Sequence, residues 1–349
     1  MSKVLLLEYF SSKLYELFRD NFLPSLLAEG FLMLRLLAED FLQAGFGVLA
    51  AADKRLGACE KTLTSIDNVE EVFKLAACCD YFYVIAPCHR GRLAKLVSML
   101  DSLGLRSLNP PLKAIECSCD KYLTYTKLRQ AGLHTPYTVK VPSREGFDYV
   151  KKLVHKEFSY PIVVKPVCGD GCLGLSLAYD DDQLIRAFRK AQLYGDYILL
   201  QEHVNGEHVS ASLFVKEGKA TLLSVNQQLI ELKPFNEESR YLGGLTPYDV
   251  KVDVDDFVKA ALAVEAEGYV GVDAIKSGDK LFIVEVNPRL TTSYIALRKV
   301  SDFSLAKAFF SNKVERPSFK ARALYYKKST DQGKASSFNE FLVVEKKPL

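Results

Sequence analysis

From residue 3 to about residue 110 short apolar runs alternate with longer amphipathic ones, and this alternation narrows the fold sharply. "VLLLEYF", "FGVLAAA" and "YFYVIAP" predict strands, whereas "PSLLAEGFLMLRLLAEDFLQAG", "NVEEVFKLAACC" and "GRLAKLVSMLDSLG" predict helices, the last closed by Gly104. Strands that alternate with helices imply a parallel sheet covered on both faces. Residues 1–113 are therefore expected to form a doubly wound α/β domain that ends at the "NPP" turn, residues 109–111. No G-x-G-x-x-G follows the first strand, which removes the main support for a nicotinamide enzyme.

Beyond that turn the pattern changes. "LKAIECSCDKYLTYTKLRQAGLHTPYTVKV" predicts one helix stopped by Gly132, then a strand entered through Pro136. "GFDYVKKLVHKEF" predicts a helix, "PIVVKPV" and "LSLAY" strands, "DDQLIRAFRKAQ" a helix with an acidic N-terminus, and "YILLQEHV" a strand. This is the pattern of an antiparallel α+β unit with helices on one side. Residues 207–290 read as mostly strand and loop, with one helix near "DDFVKAALAVEAEG". "TTSYIALRKVSDFSLAKAFF" reads as a further helical stretch, and residues 313–349 as a C-terminal extension rich in charge and turns.

Global composition excludes several partners. With 46 basic and 43 acidic residues the net charge is +3, too small for a field that coats nucleic acid. Glu8 ends the first apolar run early, and no uninterrupted apolar stretch reaches membrane-spanning length, so neither a secretory signal nor a membrane anchor is expected. The expectation is a cytoplasmic protein acting on small molecules, with a homo-oligomer left open. The 8 cysteines sit in apolar runs of a long chain and are expected to be reduced, including Cys168 and Cys172. Neither Cys88 with His89 nor Cys117 with Cys119 has the second pair that a tetrahedral zinc site needs.

Two segments carry chemistry. Lys165 ends "PIVVK", and Gly169, Asp170, Gly171, Cys172, Leu173 and Gly174 follow as a loop with accessible backbone N–H groups, the property a phosphate cradle needs; a plain hairpin turn is the competing reading. Glu285 and Asn287 are two apart on a predicted strand and share a face, and Asp273 can join them from a neighbouring strand across the turn near Gly278. Three oxygen donors without cysteine or histidine suit magnesium on polyphosphate oxygens. Arg289 shares that face and offers a planar donor to a transferring phosphoryl group.

Lys121 in "CDKYLTYTKLRQAGLHTP", Lys165 in "VVKP", "GDGCLGLS", "LLQEHVNGEHVS", Asp273 in "GVDAI" and "VEVNPR" stand in an order and spacing that resembles the ATP-grasp superfamily. The resemblance implies an ATP-grasp domain over residues 114–312, with a lid over about 122–202, behind a pre-grasp α/β domain. It implies ATP with magnesium or manganese as cofactors. Lys121 and Lys165 would hold the α- and β-phosphates, and the loop 169–174 would close over the β- and γ-phosphates. The hinge Gln201, Glu202, His203 and Val204 would receive adenine, through backbone groups of Glu202 and Val204, with His208 near the ribose. Asp273, Glu285 and Asn287 would hold the metal ions, and Lys121, Lys165 and Arg289 would stabilise the reacting phosphoryl group.

Within the superfamily "LLAEGFLMLRLLAEDF", "YLGGLTPY" and "NPRLTTSYIAL" are similar to the tyramine–L-glutamate ligases of methanofuran biosynthesis. That similarity implies an ATP-dependent carboxylate–amine ligase acting through an acyl phosphate. A kinase using the same site and a nucleotide sensor without catalysis are the alternatives. "NQQLIELKPFNEESRYLGGLTPY" suits either a specificity loop or a long surface loop. Arg240, Tyr294 and Arg298 are the expected contacts to glutamate carboxylates or a phenol.

Overall fold

The structure is a computed structural model that describes residues 2–21, 24–56, 62–327 and 342–348. The first 107 residues build β1 (Lys3–Glu8), α1 (Pro24–Gln43), β2 (Gly47–Asp53), β3 (Thr64–Ile66), α2 (Glu70–Ala76), β4 (Tyr81–Ile85), α3 (Arg92–Asp101) and β5 (Arg106–Ser107). The five strands pair in parallel in the order β3-β2-β1-β4-β5. As the central strand β1 has no solvent face, and the unbroken apolar run Val4–Leu7 follows from that. Val4 and Leu6 pack with Leu34, Leu37 and Phe41 of α1, and Leu5 and Leu7 pack on the opposite side with Val72 of α2 and Leu93 and Val97 of α3.

Next come α4 (Leu112–Cys119), α5 (Lys121–Gln130), β6 (Thr138–Pro142), α6 (Phe147–Glu157), β7 (Ile162–Pro166), β8 (Ser176–Ala178), α7 (Asp181–Gln192) and β9 (Tyr197–Glu202). The four strands form an antiparallel sheet in the order β6-β9-β7-β8. Ile162, Val164, Ile198 and Leu200 face Val150 and Val154 of α6 and Leu184 and Phe188 of α7. The alternate residues Lys165 and Gln201 consequently point to the other face.

The chain continues through β10 (Glu207–Lys216), β11 (Lys219–Glu231), β12 (Arg240–Thr246), α8 (Asp255–Ala263), β13 (Gly268–Ser277), β14 (Lys280–Asn287), α9 (Ser293–Val300), α10 (Leu305–Phe310), β15 (Arg322–Lys327) and β16 (Leu342–Lys347). A seven-stranded antiparallel sheet runs β14-β13-β10-β11-β12-β15-β16. One face packs on Phe257, Ala260 and Ala261 of α8. On the other, Phe214 and Tyr269 share a core with α1, β1, Tyr294, Ile295 and Leu297 of α9 and Leu305 of α10, so the first and last parts of the chain are held together by one apolar layer. Among the described residues no helix is long and apolar enough to cross a membrane.

Four sequence expectations change. The single helix before Gly132 is two, broken at Asp120, whose extended backbone and side chain cap α5 by accepting the N–H groups of Tyr122 and Leu123. The stretch after Thr291 is likewise two helices, because Ser304 caps α10. The 226–248 stretch is mostly a pair of strands, β11 and β12, rather than a specificity loop or a long surface loop, and residues 322–327 of the extension pair with β12 inside the sheet. Finally, Cys88 and Cys119 form a disulfide and are not reduced thiols. They lie 31 residues apart in sequence, on the loop after β4 and at the end of α4, and only the docking of α4 beside that loop brings them together. Cys168 and Cys172 are reduced thiols, as expected.

A cross-link closing such a loop contributes about 3–4 kcal/mol in the chain-entropy view. Non-reducing digestion is expected to yield a peptide joining Cys88 to Cys119, and reduction to lower the unfolding midpoint. A fully alkylated Cys88 in the unreduced, unfolded chain would contradict the pairing.

Candidate active site

The inner faces of all three sheets meet around one cavity of about 290 Å³. Lys121 enters from the first residue of α5. Its backbone N–H donates to the Val167 carbonyl at 3.2 Å, which ties the start of α5 to the strand carrying Lys165. The Lys121 ammonium donates to the Gly169 carbonyl at 2.8 Å and to Glu285 Oε1 at 2.7 Å. Lys165 projects from β7, 4% exposed, and donates to Gln201 Oε1 at 2.9 Å; Gln201 in turn donates to Thr138 Oγ1 at 2.7 Å. Burial and the neighbouring Lys121 push the Lys165 pKa down to about 8.

The hairpin of β13 and β14 sets Asp273 opposite Glu285. Asn287 Nδ2 and Gln228 Nε2 each donate to Asp273 at 3.0 Å. Burial, and then the charge of Glu285, raise the Asp273 pKa to about 7. A divalent cation would relieve that repulsion, and two carboxylates with an amide oxygen are hard ligands of the type magnesium takes. Among the described residues no group of three His, Cys, Asp or Glu side chains stands ready for a metal, so this trio depends on the Asn287 amide and on other oxygen donors. On its chemistry the donor set fits magnesium.

Over this floor lies the glycine loop. Asp170 accepts from Arg289 Nη2 at 2.7 Å and from the His89 N–H at 3.0 Å, so one carboxylate ties the loop to the end of β14 and to the first domain. Burial opposes the charge on Asp170, but Arg289 and Lys121 outweigh it and hold its pKa below the ordinary carboxylate value. Gly174 has φ +71°, and a Cβ there would stand 2.6 Å from the Tyr194 ring. The loop can follow this path only with glycine at that position.

The cavity thus gathers Lys121, Lys165, residues 169–173, Gln201, His208, Asp273, Glu285, Asn287 and Arg289. Gly174, Glu202, His203 and Val204 stand outside its lining. The Glu202 N–H is committed to the Tyr137 carbonyl at 2.9 Å. Burial lowers the pKa values of His203 and His208, favouring neutral rings.

The three expected substrate contacts are not in the lining either. Tyr294 is fully buried in the core, edge-on to Tyr269, because the apolar face of α9 turns toward α1. Arg298 pairs with Asp40 at 3.1 Å and Gln43 at 2.7 Å, bracing α9 against α1. Arg240 is exposed and points toward Glu238, 4.0 Å away. The walls come instead from Thr291, Thr292 and Ser293, from Gln228, Ile230, Leu232 and Tyr241 of the 226–248 stretch, and from a set in the first domain, including Glu8, Phe10, Glu29 and Met33. Sequence reasoning passed over Glu8, although a charged residue ending an apolar run is the same signal that singles out Lys165.

A family model for the ATP-grasp domain matches residues 118–293, which hold every element of the cavity floor and the glycine loop. The chain belongs to the ATP-grasp family. The ATP-grasp relatives include the tyramine–L-glutamate ligase of Methanocaldococcus jannaschii, 31% identical over 237 residues that cover 67% of this chain and 62% of that one. The chain therefore matches less than two thirds of that relative's length. Among ATP-grasp structures, an Archaeoglobus fulgidus superfamily protein superposes over 100% of both chains with a TM-score of 0.73 at 22% identity. The biotin carboxylase domain of the Hydrogenobacter thermophilus 2-oxoglutarate carboxylase, in complex with MgADP, ADP and bicarbonate, has a TM-score of 0.70 at 15% identity, over 93% of this chain and 74% of that one. At these identities the likeness is one of fold.

Because the Lys165 pKa is depressed, its ammonium is present below about pH 8 and lost above it. Calorimetric affinity for inorganic tripolyphosphate is expected to fall as pH rises through that value, and the inflection to vanish in Lys165→Met. A level affinity across the same range would contradict the placement of Lys165 on polyphosphate.

Proposed function

We propose that this protein is an ATP-dependent carboxylate–amine ligase that joins the γ-carboxylate of L-glutamate to a primary arylalkylamine, tyramine being the leading candidate. One observation carries the reading: two buried lysines, a glycine loop, a carboxylate pair and an arginine line the same cavity, which continues into an apolar compartment of the first domain. The similarity to a tyramine–L-glutamate ligase supports the choice of substrates, and the MgADP held by the Hydrogenobacter domain supports ATP with magnesium.

In this reading the four-stranded unit is the lid. Lys121 and Lys165 take the phosphates in place of their present contacts with Glu285 and Gln201. A cation on Asp273, Glu285 and Asn287 would supply charge neutralisation for the polyphosphate oxygens. A γ-carboxylate oxygen of glutamate attacks the γ-phosphorus and ADP leaves. The amine nitrogen then attacks the acyl carbon, inorganic phosphate departs and one proton is released. Arg289, freed from Asp170 as the loop rearranges, faces the charge that develops on the transferring group. The loop, seated against the first domain, excludes water from the acyl phosphate.

The charge of the cavity wall favours tyramine over tyrosine. Tyrosine would carry its carboxylate into a compartment that already holds Glu8 and Glu29. The test is ADP release with glutamate and magnesium across a panel of amines, with mass-spectrometric identification of the amide. Tyramine is expected to exceed tyrosine in kcat/KM, and Lys165→Ala and Glu285→Ala each to lower turnover by roughly a hundredfold or more. Equal use of both amines, a product without glutamate, or near-normal turnover in either variant would refute the reading.

A further inference from the structure

The cavity contains a carboxylate that nucleotide chemistry does not use. Glu8 ends β1 and is 4% exposed, yet it lines the cavity together with Phe10, Leu26, Met33, Ile85 and Pro87. Its Oε2 accepts from the Ser11 N–H at 2.7 Å and the Ser11 hydroxyl at 2.6 Å. The turn that provides these donors is itself fixed, since the Glu8 N–H donates to Ser12 Oγ at 2.9 Å and the Ser12 hydroxyl donates to the Ala51 carbonyl at 2.6 Å. Both bonds from Ser11 go to one carboxylate oxygen. Among the described residues Glu8 takes part in no ion pair, so a buried acid is held in place without a protein cation to balance it.

Gly30 supports the same conclusion independently. It lies inside α1, where glycine costs about 1 kcal/mol relative to alanine. A Cβ at this position would stand 2.3 Å from both Cδ and Oε1 of Glu8. The helix gives up its side chain at the one place where it would collide with the carboxylate, and Gly30 itself lines the cavity. An acid at the end of an apolar compartment, oriented on one oxygen and left clear by a helical glycine, is a receptor for a cation with a hydrophobic body.

We propose that Glu8 is the specificity-determining residue for the amine substrate: it receives the substrate's ammonium group and takes one proton from it, so that the nitrogen attacks as the free amine, while Phe10, Leu26, Met33 and Ile85 take the apolar body. This assignment rests on the ligase reading and adds to it the residue that selects the acceptor. Burial raises the Glu8 pKa to about 7, as expected of a carboxylate whose counter-ion arrives with the ligand. Loss of a buried, charge-assisted hydrogen bond of this type lowers affinity by roughly tenfold or more.

The experiment compares two acceptors in the full chain, with ATP, magnesium and L-glutamate present. Tyramine carries an ammonium on an aryl body, whereas hydroxylamine is small, largely uncharged near neutral pH, and traps an acyl phosphate as the hydroxamate. Glu8→Gln is expected to lower kcat/KM for tyramine by roughly tenfold or more beyond any loss in hydroxamate formation, through KM and kcat together. The uncharged isostere 2-(4-hydroxyphenyl)ethanol is expected to bind wild type more weakly than tyramine by a similar factor, and Glu8→Gln to erase that difference. If Glu8→Gln fails to fold, Glu8→Asp, which withdraws the carboxylate by one methylene, must show the same selective loss. Wild-type kcat/KM for tyramine in the variant that folds, or equal losses with both acceptors, would overturn the assignment of Glu8 while leaving the ligase reading intact. A wild-type protein that forms no glutamyl hydroxamate would instead overturn the ligase reading and this assignment with it.

Discussion

Lys121 and Glu285 meet at 2.7 Å in the interior, and the rest of the site depends on that pair. Without Glu285, the buried cations Lys121 and Lys165 would lose a carboxylate that both of them face; without Lys121, Glu285 would lose its nearest cation while still standing beside Asp273. Burial of either set alone is strongly unfavourable, and interleaving the opposite charges offsets part of that cost. The balance is incomplete by design of the groups present. The pKa of Lys165 is still depressed and that of Asp273 still raised, so the cavity is suited in charge to a polyanion at one side and a cation at the other. The proposed nucleotide and its metal would act on these same residual fields.

That interleaving requires three sheets to converge, and their packing explains how. Period-two alternation on β7 and β9 sends apolar residues toward α6 and α7 and leaves Lys165 and Gln201 facing inward. On β13 and β14, Val272 and Val286 face α8, so Asp273, Glu285 and Asn287 turn the other way. The first domain is not a loosely attached neighbour, because α1 shares its core with α9, α10 and the seven-stranded sheet. Glu8 and its apolar surroundings are thereby carried to the same cavity as Lys121 and Lys165, and the loop is secured to the first domain through Asp170 and the His89 N–H.

Most of the floor was legible in the sequence because it is encoded locally. Lys165 at the end of an apolar run, the glycine cluster after it, and Glu285 two residues before Asn287 announce their directions through strand periodicity and turn chemistry alone. What escaped was set by tertiary contact. Tyr294 and Arg298 read as polar contacts near the site, but α9 turns the tyrosine into the core and uses the arginine to grip Asp40 of α1. The break at Asp120 is a capping event within a continuous helical pattern, and Cys88 meets Cys119 only after α4 docks. Glu8 has a visible signal, an acid closing "VLLLE", yet its meaning depends on Gly30, which lies 22 residues further along the chain and crosses over it only in the folded molecule.

The central claim is that this arrangement transfers a phosphoryl group to a carboxylate and then replaces it with an amine. Glutamate labelled with oxygen-18 in its γ-carboxylate tests that claim directly. If the carboxylate is activated as an acyl phosphate, one labelled oxygen passes to inorganic phosphate for each amide formed, and the amide keeps the other. Amide formation accompanied by unlabelled phosphate would contradict the account.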